Sequence, residues 1–284
     1  MKVVKIALAL AMTLFIASVS YAAITSTGGT EDFDSVGTLA DGDQLSAANI
    51  GQISGWTLDP SSGANLYFYY DNNDTSAFTT ASGAGTKPAG SGNFNIKNIT
   101  GQGTMDNSRV ISTQMTFARQ ISISGWFAVS DVIYGNNVRV GIWFPGASTT
   151  SNKGSIHLDF LMDNAGVNRT KDVGLIVRGE VSASAGNETL NVGSSGLDDT
   201  DFALNEWNEF QINITTSDSA EGSAELIFNG ATIGSIALKA DSSSIMLSGH
   251  CFILTWANTI AGNMYVDDLD INAGASSVDD WMMF

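Results

Sequence analysis

The chain has 284 residues with 29 acidic against 12 basic side chains, a net charge of −17. A molecule this acidic gains no counterion-release energy from nucleic acid and is repelled by anionic membrane surfaces, which excludes both as partners. Its single cysteine, Cys251, excludes an intramolecular disulfide, so stability has to come from core area and from any bound ion.

Lys2 and Lys5, an apolar run from Ile6 to about Val19, and Ser20-Tyr21-Ala22 before Ala23 form a basic, then apolar, then small-residue pattern. This is read as a signal peptide over residues 1–22, since the run falls short of the roughly 20 apolar residues of a membrane-spanning helix. Cleavage there leaves 262 residues with 29 acids against 10 bases, expected to be secreted to an extracellular or periplasmic space.

After the leader, no long stripe with helical periodicity appears. Clusters of Gly, Ser, Thr and Asn recur every ten residues or so, which predicts an all-β chain. An acidic entry, Glu31-Asp32-Phe33-Asp34, precedes an apolar stretch at Ile53 to Leu58. An aromatic run, Leu66 to Tyr70, leads into a turn-rich segment, Asp71 to Gly92, read as a long surface loop. Strands follow at Arg109–Phe117, Gln120–Val129, Asn137–Phe144, Ser155–Met162 and Val173–Val177, then a polar link, Ser182 to Asp201. The last third reads as strands at Trp207–Thr215, Ala224–Phe228, Ala231–Leu238, Cys251–Trp256 and Met264–Ile271. Asn229-Gly230 is the strongest hairpin signal, because a type I′ turn needs two residues that tolerate positive φ. About a dozen such strands predict a two-sheet antiparallel β-sandwich over residues 23–272, with a C-terminal tail at 273–284.

Strict alternation along Met264–Ile271 places Tyr265, Asp267, Leu269 and Ile271 on one face, so Asp267 stands in an apolar row and needs a partner. Along Ser155–Met162 it puts Ile156, Leu158, Phe160 and Met162 on one face and Ser155, His157 and Asp159 on a solvated one.

The segments Trp207-Asn208-Glu209-Phe210-Gln211-Ile212-Asn213-Ile214 and Ala224-Glu225-Leu226-Ile227-Phe228-Asn229-Gly230 resemble the concanavalin A-like, laminin-G-like jelly rolls. Tyr265-Val266-Asp267-Asp268-Leu269 is similar to the closing strand of such domains and of jelly-roll carbohydrate-binding modules, and Phe33-Asp34 to their opening aromatic–acid pair. The resemblance implies neighbouring first and last strands, so that Asp34, Asp267 and Asp268 could share a structural Ca²⁺, an ion that takes six to eight oxygen ligands. It also implies carbohydrate as the ligand, making a non-catalytic lectin-like protein the leading reading.

Sugars are held by aromatic rings and by groups that bond hydroxyls. The candidate binding residues are Tyr67, Tyr69, Asp131, Tyr134, Asn136, Arg139 and Trp143, with Leu66 to Tyr70 preferred as a surface patch because a single-core sandwich buries only one face of it. Two alternatives stand. One is a structural or adhesive protein with a cell-surface or matrix partner, which the tail Asp279 to Phe284 favours. The other is a polysaccharide lyase or glycoside hydrolase of the same fold. His157 and Asp159 share a face and are the catalytic candidates; Ser155-Ile156-His157 stands where jelly-roll lyases carry Gln-x-His, but their Arg- and Tyr-rich motifs are missing. Glu-x-Asp-x-Glu, the pattern of the retaining glucanases, does not occur.

Overall fold

The structure, a computed structural model, describes residues 24–34, 37–59, 68–71, 78–88, 93–97, 108–130, 138–145, 152–163, 170–184, 186–193, 201–255 and 263–274. The expected leader and the tail from residue 275 lie outside them. In chain order the described strands are β1 (Gly28–Glu31), β2 (Trp56–Leu58), β3 (Phe68–Asp71), β4 (Thr79–Thr80), β5 (Asn93–Lys97), β6 (Ser108–Ser112), β7 (Met115–Thr116), β8 (Gln120–Val129) and β9 (Val138–Pro145). They continue with β10 (Asn152–Asp163), β11 (Thr170–Gly179), β12 (Asn187–Asn191), β13 (Glu206–Thr215), β14 (Gly222–Phe228), β15 (Ala231–Leu238), β16 (Ser248–Thr255) and β17 (Asn263–Asn272). Among the described residues, helix is confined to a 3-10 turn at Ile50–Gln52 and one turn of α-helix at Ser242–Ile245.

Two sheets face each other. The first runs β15-β14-β13-β8-β17-β5-β3, with β1 added to β17 and β4 to β13; the second runs β12-β11-β10-β9-β16-β6-β2, with β7 on β16. Every pairing between the named strands is antiparallel except that of β4 with β13. Strands far apart in sequence are neighbours in space, β8 between β13 and β17 and β16 between β9 and β6, which is the winding of a jelly-roll sandwich.

Period-two alternation builds the core. Val138, Val140, Ile142 and Phe144 of β9, Ile156, Leu158 and Phe160 of β10, and Val173, Leu175 and Val177 of β11 point inward from the second sheet. They meet Ile121, Ile123, Phe127 and Val129 of β8 and Phe210, Ile212 and Ile214 of β13; Phe127 packs edge-on to Phe160 at 4.6 Å between ring centroids. The β14–β15 hairpin turns at Asn229 (φ 45°) and Gly230 (φ 75°), as Asn-Gly predicts. The first and last strands lie side by side, β1 pairing with β17 from Gly28↔Asn272 to Glu31↔Leu269.

Strict alternation fails in β17. The register with β8 slips between Asp267 and Asp270, where Asp268 takes φ 47°, so β17 carries a bulge. Met264 and Val266 before it, and Leu269 and Ile271 after it, all reach the main core. Tyr265 instead joins Trp126, Ala128 and Trp207 in a second apolar cluster on the outer face of the first sheet. The expected row of Tyr265, Asp267, Leu269 and Ile271 is therefore divided between two faces.

Candidate functional site

The outer face of the second sheet, turned away from the core, gathers the chemistry. Antiparallel register sets its side chains in cross-strand rows. One row reads Ile111, Phe252, Gly141, His157 and Ile176 from β6 to β11; the next reads Arg109, Leu254, Arg139, Asp159 and Gly174. A third holds His250, Trp143, Ser155 and Arg178. Gly141 opens this surface: a β-carbon there would lie 2.5 Å from the His157 β-carbon, so no side chain could share that row with the imidazole.

His157 and Asp159 share this face as the alternation predicts, but it is not solvated there: they are only 1% and 3% exposed. The Arg139 Nε donates to Asp159 Oδ2 at 3.2 Å. Burial raises the Asp159 carboxyl above its ordinary range, against the opposing pull of Arg139 and Arg178. Burial, reinforced by the same two guanidinium groups, lowers His157 well below the ordinary imidazole value and keeps it neutral. Beside them the Trp143 ring stacks on His250, 5.6 Å between centroids at 26°, and the Arg109 guanidinium lies over Trp143 at 4.1 Å. Arg109 is itself ion-paired with Asp59. His250 Nδ1–H donates to the Ser112 carbonyl at 2.8 Å; a carbonyl only accepts, so Nδ1 must carry a proton.

Four polar atoms of this face are buried without a hydrogen-bond partner among the described residues: both ring nitrogens of His157, Oδ1 of Asp159 and Nε1 of Trp143. Each unsatisfied group costs about 1–3 kcal/mol.

The other predicted residues fall elsewhere. Tyr67, Asp131, Tyr134 and Asn136 lie outside the described residues. Tyr69, preferred as a surface group, is 3% exposed, and Phe68 and Tyr70 are buried as well. The expectation that only one face of this run is buried fails because the first sheet has an apolar layer on each side: Tyr69 belongs to the outward row that continues through Tyr265 and Ala128. Asp34 is exposed, its backbone N–H bonding the Asp32 carboxylate. Asp267 has the partner that its sequence environment demands, but it is a cation from the chain itself. Lys87 Nζ stands 2.5 Å from Asp267 Oδ2 and 2.9 Å from Asp268 Oδ2. Burial still raises the Asp267 carboxyl, and Asp268 adds to the effect while Lys87 opposes it. Among the described residues no group of three or more His, Cys, Asp and Glu side chains is gathered as for a metal.

Sequence reasoning missed Lys87, Arg109 and Arg178, and His250, which abuts the apolar run from Cys251, reads from sequence as structural. The parity of Arg109, Arg178 and His250 within their strands could have placed them on this face; nothing short of the fold could have paired Lys87 with residues 180 positions away.

Comparison with protein-family models finds no match, and neither does a search of curated proteins. Solved structures do match. The fold is similar to that of the alginate lyase Aly36B. Its structure superposes with a TM-score of 0.56 at 14% identity, covering 88% of this chain and 98% of that one. A double mutant of Aly36B in complex with alginate trisaccharide gives 0.57 at 15% identity, covering 88% and 99%, and another with alginate tetrasaccharide gives 0.55 at 13%, covering 87% and 97%. At this identity the likeness is one of fold.

Proposed function

We propose that the protein acts on a carboxylate-bearing polysaccharide laid along the outer face of the second sheet and cleaves it by β-elimination. The observation that carries this reading is the pair His157 and Asp159 beside Arg139, in which both ring nitrogens of His157 and Oδ1 of Asp159 are buried without a hydrogen-bond partner among the described residues. Three of the five arginines in this acidic chain, Arg109, Arg139 and Arg178, stand on this one face, the first two ion-paired with Asp59 and Asp159, a local concentration of guanidinium groups suited to an anionic polymer. The fold likeness to a polysaccharide lyase adds support, and it favours cleavage over the lectin-like reading.

Elimination asks little of a protein beyond charge placement and proton transfer. A guanidinium on the sugar carboxylate spreads its charge and acidifies the neighbouring C–H. Removing that proton forms a carbon–carbon double bond and expels the glycosidic oxygen. Arg139 and Arg178 supply the cations, and neutral His157 offers one N–H and one lone pair to the carboxylate and to a ring hydroxyl.

The test is to incubate the purified chain with polyuronates and with neutral glucans. The signal is the ultraviolet absorbance of a double bond conjugated with the carboxylate. Polyuronate cleavage that Arg178→Ala abolishes, with an unchanged melting midpoint, is expected. Binding without any double bond makes the protein a lectin, and no binding to any polyuronate removes this reading of the face.

A further inference from the structure

We propose that His250, rather than His157, accepts the proton in this elimination; the inference rests on the reading of the face given above. The chain has only two histidines, and both lie on this surface. His157 is sealed from water and flanked by Arg139 and Arg178, so protonating it would set a third cation beside two in a dry site. Its position suits holding substrate and opposes taking up charge.

His250 has the opposite surroundings. It stands in β16, half-buried, one cross-strand row away from His157 and two strands over, on the order of 12 Å by sheet spacing. Its Nδ1–H is fixed on the Ser112 carbonyl, which leaves the lone pair on Nε2. The bond from Nδ1–H to that carbonyl also strengthens when the ring becomes cationic and its N–H a better donor, the orienting role that a third group plays for a catalytic base. Ser112 is held in turn, its hydroxyl accepting the Cys251 N–H at 2.9 Å and donating to the Thr113 carbonyl at 2.9 Å. Trp143, stacked on the imidazole, sets the ring plane and offers a π face to the imidazolium. The charged groups turned toward this row are Arg109 with Asp59 on one side and Arg139, Asp159 and Arg178 on the other.

In the step, Nε2 takes the hydrogen from the carbon next to the substrate carboxylate. The C–H electrons become the new double bond, the glycosidic C–O bond breaks, and water protonates the departing oxygen. The imidazolium then returns its proton to water.

The experiment compares the parent with His250→Ala, His250→Gln and His157→Gln on the polyuronate that the parent cleaves. His250→Ala and His250→Gln are expected to lose about 10²–10⁴-fold in kcat with polymer binding retained, and added imidazole to restore turnover to His250→Ala as its free-base fraction rises. His157→Gln is expected to raise KM more than it lowers kcat. Imidazole rescue is a response that a merely structural histidine does not give, so a folded His250→Ala without rescue overturns the proposal, as does a His250→Gln turnover within about threefold of the parent. A parent that cleaves no polyuronate overturns the functional reading itself, a result distinct from an active parent with an active His250→Gln.

Discussion

Glu31 makes the stability of this fold depend on pH in an unusual direction. It ends β1, is 6% exposed, and its Oε1 accepts the Phe33 N–H at 3.0 Å. Burial dominates: it raises the carboxyl from 4.5 to about 7, with Asp32 adding to the rise and the Phe33 N–H opposing it. Between those two values the folded chain binds a proton that the unfolded chain has released, so stability falls as pH rises through the window. At about 1.4 kcal/mol per unit, the loss is complete above pH 7 at about 3 kcal/mol. Glu31→Gln keeps the acceptor for Phe33 and removes the charge. The variant should match the parent below pH 4.5 and exceed it by about 3 kcal/mol at pH 8, read from urea unfolding midpoints at constant slope. Asp267 and Asp268 tilt the parent curve in the same sense and His157 tilts it the other way at low pH, but all three are common to both proteins and cancel in the difference. A parent–variant gap that stays constant from pH 4.5 to 8 would refute the assignment to Glu31.

Three further outcomes are expected. Lys87→Met strips Asp267 and Asp268, side chains 1% and 10% exposed, of their cation and should cost about 3 kcal/mol; adding Asp267→Asn should recover most of it in the same unfolding assay. Burial pushes the Cys251 thiol far above its ordinary range, so an alkylating reagent should label it only in denaturant, and labelling of the native protein at the rate of a free thiol would contradict its place in the core. Gly42 and Gly230 have nearly the same backbone, φ 80° and 75°, but a β-carbon at Gly42 meets nothing within 4 Å while one at Gly230 lies 2.5 Å from the Gly83 carbonyl. Alanine at Gly42 should therefore cost about 1–2 kcal/mol, the left-handed penalty alone, and alanine at Gly230 measurably more.

What the sequence disclosed was what depends on near neighbours. Ile156, Leu158 and Phe160 announce their face by alternation, and Asn229-Gly230 announces its turn, because period and turn chemistry are local. The bulge in β17 was not legible: aspartate at positive φ is compatible with many loops, and only pairing with β8 makes Asp268 the extra residue. The turn-rich segment after Asp71, read as surface loop, contains β4 and the residues up to Lys87, which lie across Trp207 and Tyr265. Its small and polar residues hide that role, since Lys87 acquires meaning only from partners 180 positions later. Of the site, the shared parity of His157 and Asp159 was visible. Their burial was not, because two-sided coverage of a sheet leaves no mark on the alternation of one strand.

The two outer faces of the sandwich differ in how far their polar side chains are satisfied. Both are partly buried and both carry aromatic and charged side chains, so burial and composition do not separate them. Satisfaction of polar groups does. On the first sheet Lys87 bonds Asp267 and Asp268, Glu209 accepts the Gly85 N–H, Asn229 donates to Asn208, and Gln211, Asn213 and Glu225 form a chain of hydrogen bonds. None of the buried, unpartnered side-chain atoms among the described residues belongs to that face, whereas those of His157, Asp159 and Trp143 all belong to the other. A fold gains nothing in stability from leaving such atoms bare, since apolar side chains of the same size would cover the sheet at lower cost. On the function proposed above, their retention beside three arginines is accounted for by a polar, anionic ligand that completes the hydrogen bonds.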